Sequence, residues 1–355
     1  MKIPIRKLIC ALALLLFAKA SFALKPDETA LFYPTDAALV NGVWEVPVHG
    51  WIFEPEEDSV KRGFLLDLAK KMFDKELRPE EETLFKQRAI RFLADSEEGK
   101  KVSLSLCKKE SKAAVSSEGG QVNLILTIPE VELCETQKGW TEARTEPDGG
   151  DGRVFTAPVQ LVEPRGVSVV SDIDDTIKIS NVLNREALFE NTFLRPFVPV
   201  GGMPAAYRKW ESEGARFHYL SASPWQLYEP LFAFLEAEGF PRGSLYLKSF
   251  RLTPSGIIEI TNHSLDYKLS RLTALFERYP ERKFILVGDS GEQDPEIYGQ
   301  IARKVTEKVL AIFIRDVTGD APGSDRYRKA FSDIPEDKIR IFKDPSELKD
   351  FSLAR

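Results

Sequence analysis

"VVSDIDDTIKIS", Val169 to Ser180, sets three aspartates, Asp172, Asp174 and Asp175, within four positions directly behind an apolar run. An acidic surface loop is the ordinary source of such a cluster, so its surroundings decide. Around it, short apolar strands alternate with amphipathic helices. "GVSVV" reads as a buried strand, Ala205–Glu213 as a helix and "ARFHYL" as the next strand. "WQLYEPLFAFLEAEG" is a helix stopped by Gly239, "SLYLKSF" a strand, and "SLDYKLSRLTALFERYP" a helix closed by proline. "KFILVG", a helix through Ile297–Lys304 and "VLAIFI" complete the series. This alternation predicts an α/β fold with a doubly wound, Rossmann-like parallel sheet. In such sheets ligands bind beyond the carboxyl ends of the strands, which is where Asp172 and Asp174 fall. Two carboxylates this close repel unless a cation or a shared proton relieves them, and Mg2+ is the natural hard cation for the purpose.

Three further sites follow in order. "FHYLSASP" delivers Ser221, with Ser223 nearby; "DYKLSRL" places Lys268 near a helix start; "FILVGDSGEQD" supplies Asp289 and, five positions on, Asp294. A nucleophilic carboxylate, a phosphate-binding hydroxyl, a lysine and a second metal-binding acid form a phosphoryl-transfer kit. Duller roles exist for each. Ser221 would cap the helix near Trp225, Lys268 would face solvent with Lys248 supplying the cation, and Asp294 would cap the helix opening at Pro295. Asp175 reads as a polar loop residue, and Thr176 as a fixer of the loop.

The Asp-x-Asp-x-Thr run at 172–176, Ser221, Lys268, and Gly288-Asp289 with Asp294 together resemble the haloacid-dehalogenase-like phosphohydrolase superfamily. More narrowly, "SDIDDTIKIS", "YLSASPWQLY" and "LVGDSGEQDPEIY" resemble the catalytic domain of phosphatidate phosphatases related to yeast actin patch protein, over about Gly166–Thr318. The resemblance implies a Mg2+-dependent enzyme that converts phosphatidic acid to diacylglycerol and phosphate. Asp172 would attack phosphorus and Asp174 would serve as general acid and base. The metal would sit among Asp172, the carbonyl of Asp174, Asp289 and Asp294, while Ser221 and Lys268 would hold transferring oxygens.

Fewer than forty residues separate the first two motifs, so no large lid domain fits between them. An uncovered site suits lipids, and equally phosphoproteins or polymers. "ALFENTFLRPFVPVGG" offers Leu188, Phe189, Phe193, Leu194, Phe197 and Val198 either as an apolar lip for acyl chains or as ordinary core. Competing readings are a soluble or macromolecular phosphomonoesterase and a non-catalytic binding protein.

Upstream, residues 24–164 read as a β-rich, sandwich-like domain, from "VWEVPVHGWIF", "KKVSLSLC" and "QVNLILTI", interrupted by a charged helical stretch from Val60 to Ala94. The phosphatase domain is expected over 165–355. Residues 1–23 have the layout of a cleaved secretory signal: Lys2, Arg6 and Lys7, an apolar run from Leu8 to Ala18, then "SFA". Export, with a bacterial periplasm as the destination, is expected. Beyond the signal stand Cys107 and Cys134, a plausible disulfide in an oxidising compartment. The scattered His49, His218 and His263 do not indicate zinc. A net charge of −6 over 355 residues argues against a general nucleic-acid partner, and the peripheral membrane contact expected here follows from the resemblance to lipid phosphatases. Oligomeric state is not legible.

Overall fold

A computed structural model describes residues 23–55, 76–109, 111–134, 136–146, 152–249 and 264–353. The expected signal segment up to residue 22 and the first part of the charged helical stretch, 60–75, lie outside the described residues. The fold is mixed α/β, built on two sheets.

The N-terminal sheet contains nine strands: β1 (Thr29–Tyr33), β2 (Thr35–Val40), β3 (Val43–Glu54), β4 (Asp95–Ser96), β5 (Lys101–Leu106), β6 (Lys112–Val115), β7 (Gln121–Pro129), β8 (Trp140–Thr145) and β9 (Thr156–Val162). Helix α1 (Pro79–Ala89) lies between β3 and β4. Asn41 and Gly42 both take positive φ and make the tight turn that returns β2 into β3. β3 is twelve residues long, so it takes β1 and β2 along one edge and β7 and β4 along the other. The strands therefore form one branched, hydrogen-bonded sheet, where the sequence suggested a sandwich-like pair. Its curl encloses Val46, Val48, Leu104, Val122, Ala143 and Val159. Near the end of β3, Trp51 and Phe53 face the other way and join the core of the second sheet. Cys107 and Cys134 are bonded across 27 positions. By the chain-entropy relation a loop of that length contributes about 3–4 kcal/mol. Reduction, or replacing both cysteines by serine, is expected to lower the urea midpoint accordingly.

The second sheet is wholly parallel: β10 (Val167–Ser171), β11 (Arg216–Pro224), β12 (Gly243–Lys248), β13 (Lys283–Asp289), β14 (Val309–Arg315) and β15 (Ile339–Phe342), in the spatial order β12-β11-β10-β13-β14-β15. Its helices are α2 (Arg185–Phe193), α3 (Met203–Ser212), α4 (Tyr228–Ala237), α5 (Ser264–Arg278), α6 (Asp294–Lys304) and α7 (Asp325–Ala330). Val169, Ile285 and Phe313 pack on one face with Tyr207, Trp210 and Leu231. Val170, Leu286 and Ile312 pack on the other with Leu272, Phe276 and Ile301. Burial on both faces is why these strands read as unbroken apolar runs. Strand order reverses direction at β10, so the switch point lies between β10 and β13, the place where a crevice opens.

Buried polar contacts tie the sheets together. Asp36 of β2 accepts from the Ser244 and Tyr246 hydroxyls, at 3.0 and 2.7 Å, and pairs with His218 Nδ1 at 2.8 Å. Burial pushes the Asp36 carboxyl up, but His218, Arg278 and Tyr246 outweigh it and hold it down to about 2. Arg282 gathers the carbonyls of Glu163, Arg165 and Val167, together with Ser168 Oγ, where β9 passes into β10. Four hydrogen bonds from the Arg282 guanidinium thereby fix the passage from β9 into β10.

Candidate active site

Both central strands of the parallel sheet end in acid. β10 stops at Ser171, and the next amide, that of Asp172, still donates to the Val287 carbonyl of β13 at 2.9 Å. β13 itself ends on Gly288-Asp289. At Gly288 a Cβ would stand 2.3 Å from Asp294 Oδ2, so only glycine lets α6 bring Asp294 against the strand. Asp294 is the first residue of α6, with Gln293 in the cap position. Its Oδ2 accepts the Asp289 amide at 3.3 Å.

Asp172, Asp289 and Asp294 are all buried, and each offers a carboxylate oxygen within 4.8 Å of the others. Burial pushes all three acids up, Asp172 and Asp289 well above the usual carboxylate range, and the neighbouring acids add to it. Lys268, fully buried on α5, opposes them by reaching Asp172 at 2.8 Å, Asp294 at 2.7 Å and Glu292 at 2.9 Å. Those carboxylates hold its ammonium well above the ordinary lysine range despite desolvation. One lysine does not neutralise four acids. Asp289 Oδ1 accepts the Gly291 and Glu292 amides, at 2.6 and 3.2 Å, whereas buried Oδ2 has no hydrogen-bond partner among the described residues. A buried carboxylate oxygen without a partner, on an acid grouped with two further buried acids, suits a hard divalent cation: oxygen ligands only, and an excess of negative charge.

Asp174 is separate. Its carboxylate turns to Lys178 Nζ at 2.7 Å, Ser180 Oγ at 2.6 Å, Ser223 Oγ at 3.0 Å and Ser221 Oγ at 3.3 Å. Burial alone would raise it, but Lys178 and the Ser180 and Ser223 hydroxyls bring it down to about 2. Its side chain is therefore outside the acid triplet, and the free protein holds it as a carboxylate. β11 runs on through Ser221 to Pro224, and the turn that follows, Trp225–Leu227, has no side-chain cap. Ser221 thus faces the crevice instead of capping that turn. Lys268, not Lys248, reaches the acids.

Several site residues were not singled out by pattern. Lys178 and Ser180 come back to Asp174 because Asp175 adopts φ 53° and turns the chain. The Asp175 carboxylate then accepts the amides of Ser180, Asn181 and Val182, at 2.8, 2.9 and 2.6 Å. Its own carbonyl takes Arg315 at 2.6 Å. The residue read as a polar loop position is the organiser of the loop, and an aspartate accepting from amides downstream is the recognisable signal. Thr176 donates to Asp172 Oδ2 at 3.0 Å, so it fixes the acid itself. Glu292 lies beside Lys268. Of the apolar lip, Phe193 and Leu194 are buried, and Phe189 and Phe197 pack partly buried on the core; only Val198 is exposed.

Residues 167–316, which carry every group above, match the family described as the catalytic domain of phosphatidate phosphatase APP1. An uncharacterized protein of Schizosaccharomyces pombe is 34% identical over 175 residues, 48% of this chain and 28% of that one. Phosphatidate phosphatase APP1 of Saccharomyces cerevisiae is 34% identical over 177 residues, 48% of this chain and 30% of that one. The chain thus spans less than a third of the length of these relatives. The half of the chain that gathers Asp172, Asp289, Asp294 and Lys268 is, by sequence, similar to the phosphatidate phosphatase APP1 catalytic domain.

Proposed function

We propose that the chain is a Mg2+-dependent phosphatidate phosphatase, with a haloacid-dehalogenase-like, Rossmann-type catalytic domain over 165–355 behind an N-terminal domain over 24–164. The observation that carries this is the buried acid triplet with its unpartnered Asp289 Oδ2, at the carboxyl ends of β10 and β13, inside the segment that matches the family. Asp172, Asp289 and Asp294, with the Asp174 carbonyl, would hold Mg2+, which would supply positive charge against the phosphate oxygens.

The chain's own groups do the rest. Lys268 and Thr176 fix the Asp172 carboxylate. One Asp172 oxygen bonds to phosphorus as the bond from phosphorus to the alcohol oxygen breaks, giving an aspartyl-phosphate. Asp174 gives its proton to the departing alkoxide. It then takes a proton from the water that attacks phosphorus, which frees Asp172 and releases phosphate. In the free protein Asp174 is ionised, which suits the second half. For the first half it acquires a proton as the incoming phosphate's negative charge raises its affinity for one. Ser221 and Ser223, already beside Asp174, are placed to bind phosphate oxygens. Between Ser171 and Arg216 stand only the Asp175 loop, α2 and α3, so no separate lid domain arises in that interval.

The test is phosphate release by the purified protein, with and without Mg2+, from phosphatidate in mixed micelles, from nucleotides and from sugar phosphates. Mg2+-dependent release that favours phosphatidate is expected. Equal rates on all substrates would leave a phosphomonoesterase without lipid specificity, and no release at all would leave a binding protein. The same reading includes export through the signal at 1–23 to a periplasm, and its test is whether an exported form begins after Ala23.

A further inference from the structure

The Asp175 loop and the segment just after α2 carry apolar side chains outward. Leu183 is 61% exposed, Val198 50% and Ile179 36%. Ile179 and Val198 are joined through backbone, the Ile179 amide donating to the Val198 carbonyl at 2.8 Å, while the Asn191 side chain donates through Nδ2 to the Ser180 carbonyl at 3.1 Å and Leu183 follows four positions after Ile179. The inner side of the same loop holds Lys178 and Ser180 on Asp174. Its tip leans on the turn after β13, where Val182 crowds the space beside Gly291. One short loop, clamped by three amides on the Asp175 carboxylate, therefore presents charge to the crevice and hydrocarbon to the outside.

We propose that Ile179, Leu183 and Val198 form the face by which the protein docks on a lipid surface, entering the acyl-chain boundary while a phosphate headgroup reaches Asp172. This rests on the phosphatase reading above. Continuity with the crevice identifies the occupant. Each turnover brings the non-phosphate part of a substrate to this mouth, and for phosphatidate that part is hydrocarbon rooted in a bilayer. Size argues against a protein partner: stable protein interfaces bury more than about 1,000 Å2, far beyond three side chains. A lipid surface accepts a few inserted apolar groups, giving reversible attachment, and reversible attachment suits an enzyme that must leave its product. Preorganisation by Asp175 means that no ordering of the loop opposes insertion.

The test is the full chain carrying Leu183→Gln and Val198→Thr, neither of which touches the reacting groups. Sedimentation with phosphatidylcholine vesicles containing a minor fraction of phosphatidate is measured in chelator. Hydrolysis in Mg2+ is measured on those vesicles and on dibutyryl phosphatidate, a soluble monomer. The double variant is expected to bind and hydrolyse vesicles roughly tenfold more weakly, in line with the apolar area removed, while acting on the soluble substrate within about twofold of wild type. Unchanged sedimentation overturns the proposal, and so does an equal fall on soluble and vesicle substrates. Should wild type hydrolyse neither substrate yet sediment in a way that depends on these two side chains, the phosphatase reading falls and the docking face stands.

Discussion

Asp172→Asn is expected to cut phosphate release by on the order of 10^4-fold or more while leaving a folded protein. The carboxamide nitrogen and oxygen are poor nucleophiles toward phosphorus, and no other acid can substitute. Asp289 and Asp294 are tied by amides and by Lys268, while Asp174 is saturated by Lys178 and three hydroxyls. The fold should survive because Lys268 keeps Asp294 and Glu292, and the Asp172 amide keeps its bond to Val287. The asparagine oxygen can still accept from Thr176 or Lys268. Two measurements decide: steady-state phosphate release, and thermal unfolding in chelator. A variant that retained a hundredth of wild-type turnover would remove Asp172 from covalent chemistry. A variant that failed to unfold cooperatively would say that the acid is structural.

Sequence carried the parallel sheet well where strands are buried on both faces, because such strands are continuous apolar runs. β10, β11, β13 and β14 all stand within a few residues of their expected places. β15 was missed: Ile339–Phe342 has four residues, and exposed Arg340 breaks its pattern at the sheet edge. In the N-terminal half, alternation marked β3, β5 and β7 as strands. Partner choice in an antiparallel sheet is long-range, however, and nothing local says that twelve residues of β3 serve both edges. At the site, acids at strand ends were legible because topology alone delivers them to the crevice. Lys178 and Ser180 were not, since their return to Asp174 depends on a left-handed aspartate that spacing does not reveal. Asp294 is not the cap of α6, a position taken by Gln293, but the first residue of that helix. The start of α6 sets its backbone, while its carboxylate meets both the Asp289 amide and Lys268. The apolar run at 188–198 failed as a lip because most of it has core to fill. The exposed hydrocarbon is Ile179 and Leu183 of the catalytic loop, together with Val198, the one exposed member of that run.

Asp289→Asn is expected to abolish metal-dependent turnover and, in chelator at neutral pH, to make the protein more stable than wild type. The sign follows from proton linkage. Burial and the adjacent acids raise the folded-state affinity of Asp289 for its proton well above the unfolded value. Between the unfolded pKa, near 4, and the raised folded value, the folded state holds more protons than the unfolded one. Whatever stability this group lends is therefore fully present in acid and is lost as pH rises through the folded pKa. At neutral pH the metal-free wild type bears that loss, while the variant is spared it. Asparagine keeps an oxygen to accept the Gly291 and Glu292 amides and puts donor hydrogens at the Oδ2 position, which has no partner among the described residues, on a side chain beside the carboxylates of Asp172 and Asp294. Thermal unfolding in chelator should show the variant higher by roughly 2–4 °C at neutral pH for each kcal/mol regained, with the gap closing toward pH 4. Adding Mg2+ should raise the wild-type midpoint by mass action and leave that of the variant nearly where it was, because one of three carboxylate ligands is gone. If the variant proves less stable than wild type in chelator, the triplet is not a site of stored repulsion. Asp289 would then be holding the turn after β13, and the cation would have to be sought elsewhere.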